Sequence, residues 1–138
     1  MAGFVVNDSG EVLVVRERHY NSIWKLPGGL ADPGEDFGVT ACREVEEETG
    51  VPTAFHSLVG LRHQHEMAFG RSDIYVICRL EPSGALDASP QEGEIEAVCW
   101  MPIQEFIDIC NHPMCASLDL VQTRRLLGFW SYWGRLSI

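Results

Sequence analysis

The stretch GGLADPGEDFGVTACREVEEETGV, residues 28 to 51, opens on two adjacent glycines and carries seven carboxylates against one arginine. Glycines and prolines punctuate residues 27 to 34, which predicts an irregular loop. The Ala-, Glu- and Val-containing run from about 36 to 49 predicts a helix closed by Gly50. At about 100° per residue, Glu44, Glu47 and Glu48 fall within an arc of roughly 100°, and Glu46 points away from it. Ala41, Cys42 and Val45, with Gly38 before them, form a neighbouring apolar stripe that can seat the helix on a sheet. Like charges at this spacing destabilise a helix by a few tenths of a kcal/mol per close pair, and desolvation at a sheet edge adds to that. A divalent cation reverses the sign: hard ions such as Mg²⁺ select carboxylate and carbonyl oxygens and favour sites completed by phosphate oxygens. The competing reading is a solvated surface helix.

The rest of the chain sets the frame for that loop and helix. Its 138 residues, 46% hydrophobic, suit one domain over residues 1–138 with a single core. A net charge of −10 argues against duplex nucleic acid as a partner and leaves a metal-bridged anion open. Five cysteines without a CxxC pair predict thiols of a reducing compartment, hence a cytoplasmic location. No run of 18 apolar residues predicts a membrane span, and MAGFVVNDSG lacks the features of a signal peptide. GFVV already reads as a strand, so the start is abrupt, and a missing N-terminal region or leader stays open.

Residues 3 to 7 and 11 to 16 are β-rich and parted by NDSG, which predicts a hairpin. IWKLP, residues 54 to 63, residues 72 to 80 and IEAVCWMP are further strand candidates. In SDIYVICRL, Ile74, Val76 and Cys78 share one face and Tyr75, Ile77 and Arg79 the other. EPSGALDASPQEGE is the one long polar connector. IQEFIDIC predicts a short helix and residues 116 to 129 a longer one. Mixed strands flanked by helices predict an α/β/α sandwich with a mixed central sheet.

From Gly29 the sequence follows G-x5-E-x7-R-E-U-x-E-E-x-G-U, where U is aliphatic, through Glu35, Arg43, Glu44, Val45, Glu47, Glu48, Gly50 and Val51. This resembles the Nudix box of the MutT-like hydrolases of nucleoside diphosphates linked to another moiety, and its fixed spacing makes it a specific signal. The resemblance implies an α/β/α sandwich in which the box is a loop-helix-loop that binds Mg²⁺ or Mn²⁺. It implies Glu47 and Glu48 as main ligands, Glu44 as a further ligand or the general base, and the Gly28 carbonyl as an added oxygen donor. Glu35 and Arg43 stand where relatives hold the loop on the helix. Glu94, ahead of Trp100 and Met101, takes the place of a late ligand, in preference to Glu92 and Glu96.

WKLPGGLADPGED, RHQHEMAFGRSDIYVICRL and CWMPIQEF are similar to the branch of the family formed by the antisense fibroblast growth factor protein and its plant relatives. That likeness implies a small-molecule substrate of the ADP-ribose, NADH or coenzyme A type. The specificity markers of those three activities are not found, so the particular substrate stays open, as does a nucleotide-sensing or interaction module on the same scaffold. An isoprenoid diphosphate isomerase would need acid and thiol machinery that has no place here.

Outside the box, His63 and His65 share a strand face, with surface or structural roles favoured over metal binding. Arg62, Arg71, Arg16 and Arg18 are candidate phosphate contacts. Cys110, His112 and Cys115 are poorly spaced for zinc. Trp24 is read as core in preference to a base-stacking group. The aromatic FWSYWGRL reads as a packed helix end or as the contact of a homodimer.

Overall fold

A computed structural model describes residues 1–18, 23–65, 70 and 72–109. Among the described residues six strands and two helices follow in the order β1 (Ala2–Val5), β2 (Glu11–Glu17), β3 (Trp24–Lys25), α1 (Phe37–Thr49), β4 (Thr53–Gln64), β5 (Asp73–Pro82), β6 (Ile95–Pro102) and α2 (Ile103–Ile109). The strands form two three-stranded sheets, β1-β5-β4 and β3-β2-β6. The first is mixed, because β1 runs parallel to β5 while β4 is antiparallel to it. The second is antiparallel throughout.

Period-two alternation fills the two faces of this layer separately. Val76, Cys78 and Leu80 of β5 and Leu13 of β2 join Ala41 and Val45 of α1 in one buried cluster. Ile77 of β5 and Val12 and Val14 of β2 point the opposite way, into a second cluster with Met101 of β6 and Phe106 of α2. Each helix therefore covers one face of the strand layer, and the fold is the expected α/β/α sandwich. The strand layer is divided between two sheets, of which β1-β5-β4 is the mixed one.

The helix predicted over 36–49 is α1, with Asp36 at its N-cap. It stops at Gly50, whose left-handed backbone (φ 71°) lets its N–H donate to the Glu46 carbonyl at 2.8 Å. The strands expected at 54–63, 72–80 and 95–102 and the short helix after them are all present, whereas the IWKLP strand shrinks to Trp24–Lys25. Trp24 does pack against the second cluster, and the Arg16 guanidinium lies 5.1 Å from its ring centroid.

The predicted N-terminal hairpin is corrected. Its turn forms, with Asn7 Oδ1 accepting the N–H groups of Ser9 and Glu11 at 3.0 Å each. The flanking strands nevertheless part into different sheets, with a Val6–Val12 bridge at the turn. β1 instead runs beside β5 from Ala2↔Ile77 to Val5↔Leu80. Turn residues fix the reversal of the chain, but the apolar faces of a distant strand decide the partner.

Cys42, Cys78 and Cys99 are free thiols. No helix among the described residues is long and apolar enough to cross a membrane. The expected helix at 116–129, the FWSYWGRL segment, Arg71 and the Cys110, His112, Cys115 group lie outside the described residues.

Val45 is fully buried between β1 and β5 and carries the seating of α1. Val45→Ala is expected to lower unfolding free energy by about 1–3 kcal/mol, read from urea midpoints at unchanged m-value.

Candidate active site

The loop from Gly28 to Asp36 is tied to α1 mainly by the side chain of Arg43. Its Nε and Nη2 fork onto Glu35 Oε1 and Oε2 at 2.9 Å each. Nη1 donates to Glu44 Oε1 and to Glu47 Oε2, both at 3.0 Å, and Nη2 also reaches the Leu30 carbonyl at 3.2 Å. Only a planar guanidinium with five N–H donors can serve these positions together. Glu35 Oε2 additionally accepts the Asp32 N–H at 2.9 Å and the Thr40 hydroxyl at 3.1 Å. Led by the Arg43 hydrogen bonds, these hold the Glu35 carboxyl down at about 2, and the same pairing raises Arg43.

Glu48 turns away from this group. Its side chain is 5% exposed, and Oε2 accepts the Gly28 N–H at 2.7 Å. Burial pushes its carboxyl up to about 7, against the opposing pull of Lys25 and the Gly28 N–H. Gly28 has φ 153°, and a side chain there would collide with the Met1 carbonyl and come within 2.7 Å of Ala2 Cα. At Gly29 an added Cβ would lie 2.6 Å from Glu44 Oε2. The glycine pair therefore lets the loop lie between β1 and the acidic helix. Beside it a cleft of about 340 Å³ is lined by Gly28, Gly29, Leu30 and, at the start of β5, Asp73, Ile74 and Tyr75. The Tyr75 hydroxyl is pushed up to about 12, by burial first and by the Glu48 charge second.

Two residues were missed in the sequence. Lys25 sits on the short β3 opposite Val15, and its ammonium is paired with Glu17 Oε1. The same ammonium donates to the Gly28 carbonyl at 3.4 Å and lies 3.9 Å from Glu48 Oε1. The alternation of β2 was the available signal, because Glu17 follows Leu13 and Val15 toward the α1 side.

Glu94 is exposed on the loop before β6, and its carbonyl accepts the Arg18 N–H at 2.9 Å. That loop is docked on the end of α1, where Gln91 N–H donates to the Glu48 carbonyl at 3.2 Å. His63 and His65 meet edge to face at 4.1 Å, and His65 Nδ1 is 2.9 Å from the Ser72 hydroxyl. Arg16 pairs with Glu96 at 3.2 Å.

Among the described residues no three His, Cys, Asp or Glu side chains converge on a common point as they stand. Arg43 engages Glu44 and Glu47, and Lys25 engages Glu48. The donor set nonetheless fits a hard dication, because Glu17, Glu35, Glu44, Glu47 and Glu48 outnumber the side-chain cations paired with them, Lys25 and Arg43. A buried carboxylate with one N–H partner and a distant ammonium is the least compensated of them.

A sandwich with a glycine-opened loop and an acidic helix packed on its strand layer has the architecture implied by the box. The chain belongs to the Nudix family, whose NUDIX domain matches residues 1–118. It is 40% identical over 126 residues to Nudix hydrolase 2 of Arabidopsis thaliana, covering 88% of this chain and 44% of that protein. It is 46% identical over 123 residues to nucleoside diphosphate-linked moiety X motif 6 of Xenopus laevis, covering 85% of this chain and 55% of that protein. The chain thus spans about half the length of these curated relatives. Among solved structures, the NUDIX domain of Shewanella oneidensis NrtR, complexed with ADP ribose, superposes with a TM-score of 0.70 at 21% identity, covering 91% of this chain and 84% of that one.

The raised Glu48 carboxyl sets a pH dependence. The unfolded chain loses this proton near 4.5 and the folded one near 7, so stability falls as pH rises across that window. Metal-free Glu48→Gln, which keeps an acceptor for Gly28 N–H, is expected to melt above the parent at pH 7.5, by up to ~3 kcal/mol, and level with it at pH 4. Thermal melts in EDTA at both pH values check this. Glu35 has the opposite sign: its stabilisation is lost as pH falls from 4.5 toward 2. Glu35→Gln should flatten the acid limb of a stability-against-pH curve.

Proposed function

We propose that the chain is a metal-dependent pyrophosphohydrolase acting on a nucleoside diphosphate linked to another moiety, of the ADP-ribose, NADH or coenzyme A type. The observation that carries this reading is the buried, under-compensated Glu48 carboxylate held on the Gly28 N–H, on the same helix as Glu44 and Glu47. The relatives' names and the ADP ribose held by the NrtR domain support the substrate class.

Glu44, Glu47, Glu48, Glu94 and the Gly28 carbonyl would hold Mg²⁺ or Mn²⁺. When bound, the ion offsets negative charge on the phosphate oxygens and acidifies a nearby water. The chain's own contribution starts with Arg43, which fixes the loop through Glu35 and sets the orientation of Glu44 and Glu47. A helix carboxylate, Glu44 or Glu47, takes a proton from the attacking water. The water oxygen bonds to phosphorus as the P–O anhydride bond breaks, and the bridging oxygen leaves with the second phosphate. Two phosphomonoesters result. The free thiols Cys42, Cys78 and Cys99 support a reducing, cytoplasmic location.

A panel of ADP-ribose, NADH and coenzyme A, with and without Mg²⁺ and with products read by mass, tests the proposal. Turnover is expected only with metal and is expected to fall at least about 10²-fold in Glu47→Gln and Glu48→Gln with folding intact. Arg43→Lys should lose about tenfold or more, because an ammonium cannot fork to Glu35 and still serve Glu44 and Glu47. Tight nucleotide binding without hydrolysis across the panel would establish a binding module instead.

A further inference from the structure

Lys25 is the cation placed beside Glu48 and the Gly28 carbonyl, two of the oxygen donors that the proposed reaction would offer to a metal. It stands on a two-residue edge strand, its side chain largely covered, with three oxygens from three parts of the fold around its ammonium. These are Glu17 Oε1 from the end of β2, the Gly28 carbonyl from the loop and Glu48 Oε1 from α1. The contacts are unequal. Glu17 is in direct contact, Gly28 is a long hydrogen bond at 3.4 Å, and Glu48 stays at 3.9 Å.

The pairing has a physical cause. Register Val15↔Lys25 brings Lys25 beside β2, two residues from Glu17, which lies on the same side of that strand as Val15. Glu17 is in turn fixed by its pairing with Ile95 of β6. One ammonium therefore has an anchor on the sheet and a weaker pair of partners on the loop and helix. Arg43 neutralises the other end of the acidic face and does not reach Glu48.

We propose that Lys25 is a positioning residue that acts as a built-in placeholder cation, held by Glu17 beside the Gly28 carbonyl and Glu48, from which an incoming dication displaces it. The inference rests on the metal-dependent reading above. Without cation, the ammonium keeps the Glu48 carboxylate and the Gly28 carbonyl from facing each other uncompensated. With cation, a positive charge left in place would oppose binding, so Lys25 must withdraw onto Glu17. Glu17 thereby sets how readily the site loads, without contacting substrate itself.

Removing the placeholder charge should strengthen cation binding, the reverse of what loss of a merely structural residue does. Titration of Mn²⁺ alone, followed by the electron paramagnetic resonance signal of the free ion, reads this without any turnover. Lys25→Met is expected to bind Mn²⁺ about tenfold tighter than the parent, by analogy with the effect of one like charge at this range. Lys25→Arg, which keeps the charge, should stay near the parent. In EDTA, Lys25→Met should melt below the parent and recover on adding Mn²⁺. Lys25→Gln, whose amide can still donate to the Gly28 carbonyl, is the second uncharged variant should Lys25→Met fail to fold. Glu17→Gln should weaken Mn²⁺ binding in the parent and leave it unchanged in a Lys25→Met background. Continued weakening in that background would make Glu17 itself a ligand and overturn its assigned part. Equal or weaker Mn²⁺ binding by both uncharged variants would overturn the placeholder while leaving metal dependence intact. No Mn²⁺ binding by the parent at all would remove both readings.

Discussion

A helix that turns Glu44 and Glu47 toward one loop is held against their mutual repulsion by the Arg43 guanidinium. Arg43 spends its N–H donors on Glu35, Glu44, Glu47 and the Leu30 carbonyl, so loop and helix become one rigid unit. The bonds to Glu35 are charge-assisted and reinforced by Asp32 and Thr40, which leaves the loop little freedom to drift from α1. Gly28 can then meet Glu48, and the cleft beside the loop takes its shape from the same contacts.

Packing and electrostatics are coupled through the position of α1. Ala41 and Val45 bury its apolar stripe against β1 and β5, and this drives Glu48, three residues past Val45, into the protein. Burial of a carboxylate is costly, and the fold offsets only part of that cost with one N–H and a distant ammonium. The remaining imbalance is what a bound dication would remove, so the costly burial of Glu48 and the proposed chemistry have one origin. Active sites often store such imbalance where function needs it.

Much of the fold was legible because its signals are local. The helix start, its stop at Gly50 and the alternation in β5 each follow from a few neighbouring residues. The hairpin reading failed because Asn7 to Gly10 specify a turn and say nothing of which strand β1 will join. Glu35 and Arg43 were recognisable as a pair from the box spacing, but Arg43 reaching Glu47 as well required the actual helix and loop. Glu17 lies outside the patterns recognised and Lys25 stood within WKLPGGLADPGED without a role, because the two meet through the pairing of β2 with β3.

The sequence by itself determined that a glycine-opened loop leads into an acidic helix with one arginine at fixed spacing, because helical period and turn chemistry act over a few residues. Only the tertiary structure decided that Glu48 would be buried while Glu47 stays exposed, and how the strands would divide between two sheets. It also decided that a lysine from another strand would stand beside Glu48. These outcomes depend on which apolar faces meet across the chain, and desolvation of a charge is set by what covers it.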